Sequence, residues 1–172
     1  MKSTKRLTVT ALLAALAVAV LSLGSLIGTL DLTAAALASF LVVLLHVEIG
    51  KGWAVLYWAV AALLSLLIMP QNSAALFFAV AGLYPLLKAV LERLPRTLEW
   101  ALKLLVFGVL LAGYILLAKF VFMIPDAALS GWMLWVLVGT ATLAFVLYDI
   151  AMSRLIIYYG LRLRHRIARF FH

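Results

Sequence analysis

Charge is what this sequence has least of. Of its 172 residues only six are Asp or Glu and fourteen are Lys or Arg, so 12% are charged where a soluble domain carries about a quarter. Cysteine is missing altogether, which excludes disulfides and thiolate chemistry and leaves the redox compartment undefined. There is no GxxxxGK[ST] loop to cradle phosphates, so ATP hydrolysis by that route is excluded, and no HExxH pattern to hold a metal. His46 and Glu48 stand two apart and face different ways on a helix, so they make no metal site by themselves. No Ser/His/Asp set or pair of carboxylates falls into one site. The expectation is a non-enzyme with no cofactor and no bound metal.

What is present is apolar. Hydrophobic residues make up 68% of the chain, and mean hydropathy is +1.23, values that define an integral membrane protein. Charges gather in a few places, above all in Leu83–Lys103, which holds Lys88, Glu92, Arg93, Arg96, Glu99 and Lys103 between two long apolar runs. That pattern predicts a hairpin at a membrane surface joining two three-span halves, with Pro95 ending one helix at Leu94 and starting the next.

Six spans follow in order. Thr8–Leu30 carries no charge, is too long for a signal-peptide core and shows no convincing cleavage site, so it reads as a first transmembrane helix closed by Asp31. Leu32–Val47, Trp53–Met69 and Ala74–Leu94 are the next three, the last capped by Ser73 after a Pro70 turn. Leu98–Ile124 is the fifth, and the sixth runs from Trp132 to Ser153, the roughly 20 residues that a bilayer requires. Residues 1–153 thus form the transmembrane domain. Residues 154–172, with Arg154, Arg162, Arg164, Arg166 and Arg169 among aromatic and aliphatic side chains, form a basic amphipathic tail for lipid or a partner.

The formal net charge of +8 does not call for nucleic acid. Lys and Arg concentrate at the N-terminus, the Lys51 turn, the Arg93–Arg96 loop and the tail, while the turns at Asp31, Gln71 and Asp126 have none. By the positive-inside rule this places both termini in the cytoplasm and the protein in the cell membrane.

Within the spans, Ala11, Ala15 and Ala19, with Gly24 and Gly28 beyond, form a stripe of small residues that lets another helix approach closely. Lys88 lies roughly 20 Å into its helix, so snorkelling to the inner surface is the favoured account of it and pairing with Glu92 the other. Asp149 is read as held in a structural ion pair with Lys88 or Arg154. In the outer half, Asn72, Tyr114, Lys119, Trp132 and Trp135 are candidate ligand contacts, set against an aromatic belt for the tryptophans and snorkelling of Lys119 toward Asp126.

The basic start leading into TALLAALAVAV (Thr10–Val20) resembles the first helix of the substrate-binding S components of energy-coupling-factor importers. The stretch Lys51–Leu94, with its Pro70 turn and its YP-x-x-K segment, is similar to S-component-like proteins of Gram-positive bacteria. The resemblance implies capture of a small, vitamin-like micronutrient near the outer face. It also implies docking through Ala11, Ala15 and Ala19 on a transmembrane coupling subunit driven by two ATPase subunits. The chain begins Met-Lys-Ser, without the Met-His segment of the cobalt and nickel members, which disfavours those metals. The alternative reading is a non-transporting scaffold of the rod-shape MreD type. An ion-coupled carrier using Lys88, Glu92 and Asp149 ranks third.

Overall fold

The computed structural model describes residues 3–92, 95–123 and 131–163, and every element in them is helical. Arg93, the Pro125-Asp126 turn, and Arg164, Arg166 and Arg169 of the tail lie outside the described residues. The helices are α1 (Ser3–Ile27), α2 (Asp31–Glu48), α3 (Lys51–Ile68), α4 (Ser73–Ala81), α5 (Tyr84–Leu91), α6 (Arg96–Phe122) and α7 (Trp132–Tyr158), which passes into a π-helical turn at Tyr159–Leu163. Among the described residues, six helical segments, with α4 and α5 counted together, are long and apolar enough to cross a membrane.

Small residues bring the first helices together. Ala14, Ala17 and Leu21 of α1, Ala34, Ala35, Ala38, Val42 and Leu45 of α2, Ala54, Tyr57 and Ala61 of α3, and Ala74 and Phe78 of α4 make one buried core. Gly24 marks the closest approach: a Cβ there would sit 2.4 Å from Ala34 Cβ. Tyr57 locks the centre, donating its hydroxyl to the Ala38 carbonyl (3.0 Å) with its ring edge-on to Phe78. Helices α6 and α7 touch this group far more sparingly and leave most of their surface exposed. The packing is therefore a tight group of α1–α5 with two helices set against it, and the division into two three-span halves is corrected.

The fourth span is two helices rather than one. Pro85 has no N–H to give the Ala81 carbonyl and its ring crowds the preceding turn, so the chain unwinds over Gly82–Leu83 and restarts at Tyr84. Gly82 is required at the break, because a Cβ would lie 2.5 Å from the Phe78 carbonyl oxygen. The Trp58 indole donates to the Ala79 carbonyl there (3.2 Å). The cap of α4 also differs from expectation. Asn72, fully buried, is the N-cap: its Oδ1 accepts the Ala75 N–H (2.8 Å) and its Nδ2 donates to the Leu21 carbonyl (3.3 Å). Ser73 instead donates to the Asp31 carboxylate, tying the start of α2 to the start of α4.

At the other end of the bundle, α7 runs on as helix past Ser153 to Tyr158. Tyr159 then packs edge-on to Phe40 and donates to Glu48 Oε1 (3.0 Å), which fastens the start of the basic segment to the end of α2.

Candidate functional site

Because α6 and α7 stand off from the tight group, a cavity of about 540 Å³ opens between them and α4. Its Asp31 end is formed by Gly28, Thr29, Asp31 and Ser73, and its deep end by Tyr84, Phe107, Phe145 and Tyr148. Gly28 takes a left-handed φ of 66° to turn the chain from α1 toward α2. The broken fourth span contributes Val80 and Ala81 on one side of the break and Tyr84 on the other. Non-helical backbone at such a depth is tolerated where it borders a cavity.

The wall is mostly apolar, and its aromatic side chains are ordered by ring contacts. Phe77 meets Tyr114 edge-on at 5.9 Å, Tyr84 meets Phe145 edge-on at 4.9 Å, and Phe107 stacks on Phe145 at 4.5 Å. Few polar atoms interrupt it. Asp31 Oδ1 is buried and makes no hydrogen bond among the described residues, and the Tyr148 hydroxyl is buried close to Ser39. Thr140 lines the wall as well, but its hydroxyl is turned back onto the Val136 and Leu137 carbonyls.

Beneath the deep end lies a buried ionic cluster. Lys88 Nζ contacts an Asp149 carboxylate oxygen, the Asp149 carbonyl (3.2 Å) and Glu92 (3.0 Å). Lys103 Nζ meets Asp149 Oδ2 at 3.0 Å and Glu99 at 2.7 Å, with the Trp100 ring 5.4 Å away. Lys88, Lys103 and Asp149 are 1%, 2% and 4% exposed, so Lys88 does not snorkel; it is a buried partner. Arg154 is exposed and makes no ion pair with Asp149 among the described residues, because a spacing of five turns it off the Asp149 face. Lys103 and Tyr84 hold that carboxylate instead. Tyr84 joins cavity and cluster: its ring is in the wall and its hydroxyl donates to Asp149 Oδ1 (2.6 Å).

Of the five candidate ligand contacts, only Tyr114 lines this cavity. Asn72 is spent on capping and Trp132 and Trp135 point outward, 77% and 78% exposed; Lys119 is half-buried and not part of the wall. Asp31, Ser73, Tyr84 and Tyr148 line the cavity without being among the sequence's candidate contacts; the sequence signal for Asp31 is an acidic residue in a turn with no basic neighbour. Ala11, Ala15 and Ala19 lie exposed on the outside of α1. Gly24 belongs to the opposite, buried face with Ala14, Ala17 and Leu21, so the stripe is shorter than the spacing suggested. Among the described residues, no three His, Asp or Glu side chains converge as a metal site.

Comparison with known protein families, curated proteins and solved structures finds no match for this chain.

Proposed function

We propose that this is a multi-pass protein of the cell membrane that captures a small organic solute in the cavity at the Asp31 end and passes it on through a partner. The observation that carries the reading is the cavity itself: about 540 Å³, nearly all carbon, with a few polar atoms, which is the form and size of a small-molecule site. The distribution of Lys and Arg supports an outward-facing Asp31 end and cytoplasmic termini. The exposed small-residue face of α1 supports docking on a transmembrane coupling subunit worked by two ATPase subunits, as in the importers whose S components the chain resembles. The chain itself supplies no nucleotide-binding loop.

The test is native mass spectrometry of the full chain purified from cells grown in rich medium. Wild type is expected to retain a small molecule, and Ala144→Trp, which fills the cavity, is expected to lose it while melting at the same temperature. Replacing Ala11, Ala15 and Ala19 together by Leu is expected to abolish copurification of other membrane proteins and leave ligand retention intact. An empty wild-type protein that still brings down membrane partners would defeat capture and favour the scaffold.

A further inference from the structure

Resting on the capture reading, we propose that the cavity takes a protonated organic amine, its ammonium held by the Asp31 carboxylate and its apolar body by the aromatic wall. Among the described residues lining the cavity, Asp31 is the one charged side chain; no Lys, Arg or His joins it. One of its oxygens is engaged by the Ser73 hydroxyl. The other, Oδ1, is buried with no hydrogen bond among the described residues. A carboxylate oxygen in apolar surroundings is costly unless a donor or a cation meets it, and the strongest such partner is an N⁺–H group.

The surroundings suit that partner. Asp31 is the first residue of α2, where the positive end of the helix favours a negative side chain. Tyr114, edge-on to Phe77, lines the same cavity and is within electrostatic reach of Asp31. Ring faces attract an ammonium most where water is excluded. An anionic ligand would meet a like charge at Asp31 and electron-rich ring faces, both repulsive. Farther in, the Tyr148 hydroxyl is a second buried polar atom, close to Ser39. It gives the ligand one hydrogen-bonding anchor distant from its charge. A role for Asp31 in tying α2 to α4 accounts for the oxygen that Ser73 engages and leaves Oδ1 unexplained.

The experiment uses the full chain in nanodiscs and a matched set of probes that differ only in charge: tryptamine, the neutral tryptophol and the anionic indole-3-propionate. Equilibrium dialysis, corrected with empty nanodiscs, is expected to show tryptamine bound about tenfold more tightly than the other two, as one charge-assisted contact provides. Asp31→Asn keeps an oxygen for the Ser73 hydroxyl and should melt with wild type, yet lose about tenfold for tryptamine and little for tryptophol. Tyr148→Phe should weaken the probes without changing their order. Tryptophol or indole-3-propionate binding as tightly as tryptamine, or tryptamine binding unchanged in Asp31→Asn, would overturn the assignment while leaving capture in place. If no probe binds, the charge of the molecule retained in native mass spectra decides: a cation upholds the proposal, a neutral or anionic molecule sinks it. A protein that binds no probe and retains nothing defeats capture and the amine together.

Discussion

Lys88 and Asp149 illustrate how a buried charge becomes tolerable: neither faces its partner alone. Asp149 accepts from Lys88, Lys103 and Tyr84, and Lys88 shares its protons between Asp149 and Glu92. Removing one member leaves the others desolvated and short of a partner, a cost that approaches the roughly 3–5 kcal/mol of a broken buried pair. Lys88→Ala and Asp149→Ala are therefore expected to lower the unfolding free energy of the reconstituted protein by about that amount, whereas Arg154→Ala should change it by less than about 0.5 kcal/mol. Asn72→Ala removes a cap and a tie to α1, and is expected to cost about 1–2 kcal/mol in the same measurement. The charge cluster at residues 88–103 is plain in the sequence, and so is the lone Asp149. The pairing of Lys88 with Glu92 and Asp149 is legible too, but that Lys103 also holds Asp149 is not, because that contact depends on how α6 and α7 lie against α5.

At the scale of elements, hydropathy reveals the spans well, since each must be apolar along its length whatever it packs against. It conceals the break in the fourth. The apolar run continues through Gly82–Leu83, and only Pro85 and Gly82 betray the interruption. Gly82→Ala is expected to be destabilising by about 1–3 kcal/mol, since its Cβ would collide with the Phe78 carbonyl. The facing of α1 was equally hidden. Ala11, Ala14, Ala15, Ala17 and Ala19 are chemically alike, and only contact with α2 and α3 shows that Ala14 and Ala17 are the buried ones. Accordingly, Ala17→Leu should disrupt folding by overpacking, while Ala15→Leu should leave the melting temperature unchanged in detergent.

For the molecule as a whole, orientation is the most direct prediction. The absence of cysteine makes single-cysteine labelling free of background. Gln71→Cys is expected to react with a membrane-impermeant maleimide in intact cells, and Lys51→Cys only after the membrane is opened; both positions are exposed. The charge asymmetry behind that expectation is a global property legible from the positions of Lys and Arg along the sequence. The cavity is not, because it arises from the distance at which two long helices stand from five others, and no local pattern encodes a gap. One consequence concerns anyone who would redesign this protein. Tyr84 has its ring in the cavity wall and its oxygen on Asp149, so the cavity and the ionic cluster share a single side chain. Position 84 cannot be tuned for a new ligand without loosening the clasp beneath it, and a library built on the cavity should hold that tyrosine constant and vary the walls around it.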